Sequence, residues 1–413
     1  MAPVLEGIKV IDVSQVAAVP MAARILADFG ADVIHVENPT IGDHFRHVLS
    51  GMSSTTGIKC DINYVWELYN RNKKCITLDL SQEGGQEVLY KIIETADVFL
   101  TNLRPFELKK FRVEYETLNR KNPRLVAGYL TGYGKSGADK NVPAYDHTAY
   151  WARSGIPHRL RSLLPALREP GVTPPAFLPA FGDHMAGMSL ACGIMMALFG
   201  RERTGSGEEV NVSLFHSGVY QLSFDVSGAL VTGEDCPQVN SREDNPNALV
   251  GQYQTKDGRW ILFCILRPER FTSQFCKAIG REKLLDDPRF ESMEAMTENR
   301  IALMEILDGV FKEKTLDEWK PLLNEAGLPW SPIQSLLDVV HDPQARANDF
   351  FVAYDHPTYG KIEGVANPIK LGKGLEPVRM PAAEFSQHTE EVLLECGYTW
   401  EDIIGFKDEG IIA

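Results

Sequence analysis

Along the first 130 residues, apolar positions alternate between two rhythms. Short runs dominated by apolar residues occur at 8–13, 32–37, 75–80, 97–100 and 125–130. Runs of this length, rich in Val, Ile and Leu, read as strands buried on both faces. Between them the apolar positions fall three and four apart, through Ala22, Ala23, Ile25, Leu26 and Phe29, and again over 82–95. That spacing reads as helix. Pro20 opens the first helix, Gly30 closes it, and Pro39 stops the second strand. A strand, helix and strand within about thirty residues make a βαβ unit with parallel strands. The first 130 residues therefore predict a doubly wound α/β layer, with a ligand site beyond the carboxyl ends of its strands.

The rhythm breaks over 138–180, a long connection carrying Arg153, Arg159, Arg161 and Arg168, with Pro157, Pro165, Pro170, Pro174 and Pro175. Next comes PAFGDHMAGMSLACGIMMALFG (179–200). We read Asp183 as the N-cap of a helix and Gly200 as its closing residue. Met185, Met188, Leu190, Ile194, Met195 and Leu198 make that helix apolar almost all round, the pattern of a buried helix. Ala186, Gly187, Ser189, Ala191 and Gly193 let other backbone approach closely. A strand at 209–212 and a helix through Val219 and Phe224 follow. After a polar linker at 231–248 comes a hairpin over 252–266, turning at Lys256-Asp257-Gly258, then helices to about Asn324. Pro329, Pro332 and Pro343 mark a return, which ends in a strand around 351–353 and a last helix near 390–396.

Composition narrows the class. A chain of 413 residues exceeds the usual single core, so two domains are expected. A net charge of −14 argues against nucleic acid or an anionic membrane as a partner, and no apolar run is expected to span a bilayer. The seven cysteines are scattered, odd in number and free of any C-x-x-C, the usage of a reduced compartment. The first residues carry no basic stretch followed by an apolar one. A cytoplasmic protein is expected.

Asp183 has two readings. It is an ordinary helix cap, or it is a nucleophilic carboxylate. A helix N-terminus favours a negative charge by roughly 0.3–1 kcal/mol, which lowers a pKa by less than about one unit. Such an Asp is expected to be ionised at neutral pH and able to attack a carbonyl directly. Other signals lead nowhere. Gly132-Tyr133-Gly134-Lys135-Ser136-Gly137 matches a dinucleotide fingerprint, but residues 138–143 cannot start the helix that fingerprint needs. That leaves a nicotinamide oxidoreductase without support. His44 and His47 beside Asp43 lack a metal-ligand spacing, and no metal is expected. Ser14 and Ser189 sit in no G-x-S-x-G frame. Asn72-Lys73-Lys74 is either a solvated turn or charge for a phosphate, and the loop arginines are either solvated or carboxylate binders.

Taken together, the segments resemble the class III CoA-transferase family over nearly the whole chain. They are GIKVIDVSQVAAVP (7–20), LADFGADVIHVENP (26–39) with Gly42-Asp43 and Arg46, NRNKKCITLDL (70–80), ADVFLTNLRP (96–105) and the 132–137 turn. Pro143-Ala144-Tyr145-Asp146, GDHMAG (182–187), TGSGEEVNVSL (204–214), TKDGRW (255–260), Asp342-Pro343-Gln344-Ala345 and QHTEEVLLECGY (387–398) complete the set. The resemblance implies an α/β fold with a large Rossmann-like domain built from both chain ends, 1–230 and 340–413, and a smaller α+β domain at 245–328. It implies two chains interlocked as a homodimer, or as a heteromer with a homologous subunit. Asp183 matches the family's catalytic aspartate. Coenzyme A would lie near Val16, Ala17, Asn72, Lys73, Asn102, Leu103 and Lys110, with Tyr145, Asp146 and Arg46 on the substrate. Coenzyme A thioesters would be substrates, with no permanently bound cofactor. Two departures stand out: Ala17 replaces a glutamine that holds the acyl oxygen in some members, and the glycine run some members place over the site is absent near 245–251.

The implied reaction moves CoA between carboxylates through an aspartyl-acyl anhydride and an aspartyl-CoA thioester. The same family contains 2-methylacyl-CoA racemases, whose histidine would fall at or near position 145. The phenol of Tyr145 is a poor base at neutral pH, which favours transfer. A non-catalytic partner subunit is the other alternative. The arginines and aromatics of the long connection suggest an acidic, aryl-substituted acid, as in the succinyl-CoA:(R)-benzylsuccinate CoA-transferases. Aryl-lactate and carnitine-type acceptors stay open.

Overall fold

β1 (Lys9–Val13) runs through the middle of the sheet. It pairs in parallel with β2 (Asp32–Glu37) on one side and β4 (Val98–Thr101) on the other. β3 (Lys73–Thr77) lies outside β2. β5 (Val126–Thr131) and β6 (Glu209–Ser213) extend the other edge. The order β3-β2-β1-β4-β5-β6 is parallel throughout and reverses direction between β1 and β4. Val10, Ile11, Val98, Phe99, Leu100 and Val126 are fully buried, as strands covered by helices on both faces must be. The computed structural model describes residues 3–47, 60–169, 171–174, 177–372, 374 and 376–413. Pro170 and Pro175 of the long connection lie outside the described residues.

The chain divides into two compact units. One comprises Met1–Arg159, Pro175–Cys236 and Asn348–Ala413; the other comprises Leu160–Pro174 and Pro237–Ala347. In the first unit the C-terminal residues fasten onto β3. Cys75 N–H donates to His388 Nδ1 at 3.1 Å, Thr77 N–H to Thr389 Oγ1 at 3.1 Å, and Asp79 N–H to the Ile411 carbonyl at 2.8 Å. The second unit has an antiparallel sheet of β7 (Val250–Gln254), β8 (Trp260–Cys264) and β9 (Trp330–Pro332). Its aromatic core holds Tyr253, Phe263, Phe275, Phe311 and Trp319. β10 (Phe351–His356) and β11 (Gly360–Val365) form a hairpin in the first unit.

Several expectations need correction. The strand read at 75–80 pairs only as far as Thr77, because its neighbour β2 ends at Glu37 and Pro39 follows. The connection over 138–180 is not an irregular loop. It contains a π-helix at Asp146–Ala152, a helix at Ile156–Leu163 and a 3₁₀ turn at Pro165–Arg168. Pro157 and Pro165 sit at helix starts, where a missing N–H costs nothing. A further helix, Trp400–Asp408, follows the one expected to be last; Thr399 and Asp402 form its capping box.

The central helix spans Phe181–Thr204. Asp183 is not its N-cap: that position belongs to Ala180, in the left-handed conformation at φ 58°. Gly200 does not end it either, and Gly205, at φ 75°, does. At 24 residues the helix is long and apolar enough to cross a membrane, contrary to expectation. Here it serves as a packing element, with Gly187, Leu190, Ala191, Ile194 and Leu198 buried. A Cβ on Gly187 would strike the Ala18 carbonyl of the helix Ala18–Asp28. Burial is one-sided rather than all round, since Met196 is 68 % and Phe199 62 % exposed.

Candidate active site

The carboxyl ends of β1 to β5 open onto a cavity of about 630 Å³. This is where an open parallel sheet binds ligands, at the point where strand order reverses. Ser14, Gln15 and Val16 follow β1 into its wall, and Asn102, Leu103 and Arg104 follow β4. Five of the anticipated residues line it: Val16, Asn102, Leu103, Lys110 and Tyr145. The Gly132–Gly137 turn starts no helix; Gly134 and Gly137 take positive φ, and Gly132 abuts the side chain of Ala144.

Ala17, Asn72, Lys73, Arg46, Asp146 and Asp183 do not line this cavity. Ala17 is the buried cap of the helix Ala18–Asp28. Lys73 is the first residue of β3, and in a parallel sheet that is the end away from the cavity. It is fully buried, with Nζ 2.9 Å from Asp12, 2.9 Å from the Pro20 carbonyl and 3.1 Å from Asn70. Asn72 donates to Asp28 at 2.9 Å and accepts the Arg379 N–H at 2.7 Å. Arg46 pairs with Glu37 at 2.6 Å and lies over the Trp66 ring at 3.9 Å. These groups are committed within the protein.

Asp146 and Asp183 are brought together at the mouth of the central helix. Asp146 opens the π-helix and is buried; its Oδ1 accepts the Gly182 N–H at 3.1 Å. Glycine is needed at 182, because a Cβ there would collide with Asp146 Oδ1 and the Tyr150 ring. Asp183 follows directly, in the first turn of the helix. Among the described residues its carboxyl has no hydrogen-bond partner, and part of its surface stays open. Phe181, two residues earlier on the same helix, packs against Trp151 with ring centroids 5.7 Å apart. Short π-helical segments are often found at functional sites.

The electrostatics reverse the expectation that the helix terminus would keep Asp183 acidic. Burial, and then the charge of Asp146, push Asp183 up to about 7. Burial alone pushes Asp146 up to about 6, opposed by the Gly182 N–H. Desolvation of a carboxylate outweighs a helix-end field of roughly 1 kcal/mol. Two neighbouring carboxyls whose pKa values burial has raised make this helix mouth a candidate functional site.

Sequence reasoning missed Tyr69, whose hydroxyl lies 2.8 Å from His184 Nε2. Burial holds the His184 imidazole neutral and the Tyr69 phenol protonated. No local signal could find Tyr69, which lies far from His184 in the chain. The loop arginines, read as possible carboxylate binders, already have protein partners, although Arg159 Nη1 is buried without a hydrogen bond. Arg153 pairs with Asp139 at 2.8 Å and Arg159 with Asp225 at 3.1 Å; Arg161 and Arg168 donate to backbone carbonyls at 3.0 and 3.1 Å. Among the described residues, no three His, Cys, Asp or Glu side chains group as metal ligands.

Known proteins resemble the chain over nearly its whole length. The chain is 38 % identical to (R)-2-hydroxy-4-methylpentanoate CoA-transferase of Clostridioides difficile, over 99 % of each chain. It is 35 % identical to cinnamoyl-CoA:phenyllactate CoA-transferase of Clostridium sporogenes, over 98 % of this chain and 97 % of that one. In three dimensions it matches the crystal structure of a CAIB/BAIF family protein from Brucella suis. That match has a TM-score of 0.78 and 27 % identity, over 96 % of this chain and all of that one. The profile of CoA-transferase family III matches residues 5–389. With that match spanning the sheet, the cavity at its carboxyl ends and the paired carboxyls, the chain belongs to CoA-transferase family III and is a CoA-transferase.

Proposed function

We propose that this enzyme moves CoA from an acyl-CoA to a 2-hydroxy acid with an apolar or aryl side chain, using Asp183 as the covalent nucleophile. The observation that carries the reading is the Asp183 carboxyl itself: at a helix mouth, unpartnered among the described residues, beside Asp146 and partly open. The Asp183 carboxylate attacks the thioester carbonyl and expels CoA thiolate, leaving an aspartyl-acyl anhydride. The thiolate then attacks the aspartyl carbonyl, releasing the donor acid and leaving an aspartyl-CoA thioester. The acceptor carboxylate attacks that carbonyl, expelling the thiolate again. Attack of the thiolate on the new acyl carbonyl frees acyl-CoA and Asp183. Every nucleophile is an anion, so no general base is needed. The cavity with Val16, Asn102, Leu103 and Lys110 would hold coenzyme A, and Tyr145 would face the acyl group.

The acceptor class follows from two supports. The named relatives act on 2-hydroxy-4-methylpentanoate and phenyllactate, and the exposed ring of Phe181, backed by the buried Trp151, offers an apolar surface two residues from Asp183. A diacid such as (R)-benzylsuccinate is less well served, because Arg153, Arg161 and Arg168 already hold partners and Arg159 is ion-paired with Asp225. The exposed apolar face of the central helix, with Met196 and Phe199, and of the helix Ser223–Thr232, with Phe224, Leu230 and Val231, supports an interlocked second chain of the same family. The test is mass spectrometry after incubation with a panel of acyl-CoAs. We expect an adduct on Asp183, absent in a folded Asp183→Ala enzyme that no longer turns over. Normal turnover by that variant would end the assignment.

A further inference from the structure

We infer that Asp43 is a positioning residue, which from behind the cavity wall holds Val16 in the backbone conformation that shapes the coenzyme A site. The inference rests on the reading that the cavity at the sheet's carboxyl ends receives coenzyme A. Val16 lines that cavity at φ 73°. Among the described non-glycine residues with positive φ it is the one β-branched residue. That conformation is strained for L residues, and most of all for a branched one, so something must hold it.

Three successive residues of the turn are each gripped by a buried or half-buried side chain. The Ser14 hydroxyl donates to Asp12. Asn102 binds both backbone polar groups of Gln15, accepting its N–H at 3.2 Å and donating to its carbonyl at 2.7 Å. Val16 N–H donates to Asp43, 3.1 Å from Oδ2 and 3.4 Å from Oδ1. Asp43 has no exposed surface. Its Oδ1 also takes the Phe45 N–H at 2.7 Å, and its own N–H donates to Glu37 at 2.8 Å.

Behind it stands His35, with Nε2 3.8 Å from Asp43 Oδ2 and Nδ1 3.0 Å from Asp12. Lys73 closes the series on Asp12 at 2.9 Å. A loop that merely connected β1 to the next helix could carry glycine at 16 and leave the position behind it apolar. Here a buried carboxylate is kept so that a branched side chain can face the cavity. This also gives Lys73 a place: it is committed to Asp12, on the far side of His35 from Asp43.

The test is the dissociation constant of coenzyme A itself, measured by calorimetry on the full chain. Asp43→Ala should weaken it about tenfold, equivalent to about 1.4 kcal/mol. Asp43→Asn keeps an acceptor oxygen and should stay within about threefold of wild type. Adding Val16→Gly to Asp43→Ala should recover most of the loss, because glycine takes positive φ without help. Unchanged affinity in Asp43→Ala with a lowered melting temperature would overturn the inference, as would a loss that Val16→Gly deepens. If Asp43→Ala does not fold, the residual effect of Asp43→Asn should vanish in a Val16→Gly background, and its persistence would refute the link. A wild-type chain that binds no coenzyme A would instead overturn the reading of the cavity, and this inference with it.

Discussion

Replacing Asp183 by Asn should make the protein more stable in mildly alkaline solution while abolishing turnover. Burial and Asp146 raise the Asp183 pKa from its ordinary 3.8 to about 7. Between those values the native carboxyl keeps a proton that the unfolded chain has released, so this group's stabilising contribution is complete at low pH. It is lost as pH rises through about 7. At about 1.36 kcal/mol per pKa unit, a fully enclosed carboxyl would cost roughly 4 kcal/mol when ionised. Asp183 keeps an open side, and screening there reduces the figure to about 1–2 kcal/mol. Asn is nearly isosteric and never ionises. Urea unfolding of both proteins at steps from pH 4 to pH 8 isolates the difference, since every other titrating group is common to the pair. The curves should coincide near pH 4 and separate in favour of the Asn variant by about 1–2 kcal/mol at pH 8. A constant gap, or a variant less stable at pH 8, would refute the electrostatic account of the site.

Because Asp183 must be ionised to attack, turnover should rise through about pH 7. Asp146→Asn should move that limb to lower pH, but by less than about half the total rise, since burial is the larger cause; pH–rate profiles of the two enzymes check this, and an unmoved limb would separate the carboxyls. Gly182→Ala should destabilise the fold by about 1–3 kcal/mol and slow turnover more than tenfold, because the methyl displaces Asp146 and Tyr150. Lys73→Met should cost about 3–5 kcal/mol by stranding the Asp12 charge, whereas a mere loss of coenzyme A affinity at full stability would return Lys73 to the ligand site.

The α/β layer could be read from the sequence because parallel strands buried on both faces leave short runs dominated by apolar residues. Val98, Phe99 and Leu100 have no exposed surface and were legible as strand from composition alone. The helix carrying Asp183 was legible too, but not its boundaries. Ala180 caps it by backbone conformation rather than by side chain, and no residue type announces that. The carboxyl pair was only half legible: Asp146 and Asp183 were both named, but the sign of the Asp183 shift depends on how deeply each is buried. Lys73 misled because a lysine beside a turn reads as solvated or phosphate-facing, and only the parallel direction of β3 puts it at the far end. The arginines misled for a related reason, as their acceptors, Asp139 and Asp225 among them, are distributed along the chain.

The tethering of His388, Thr389 and Ile411 to the edge of the sheet sets a timetable for synthesis. The first six strands leave the ribosome long before the segment that seals their outer border. Edge strands left uncovered invite pairing with other chains, and contacts this distant in sequence form slowly. A nascent enzyme of this kind therefore passes through an interval of vulnerability that closes only once residues 388–411 have emerged, and chaperone demand should rise sharply in chains cut short before position 388.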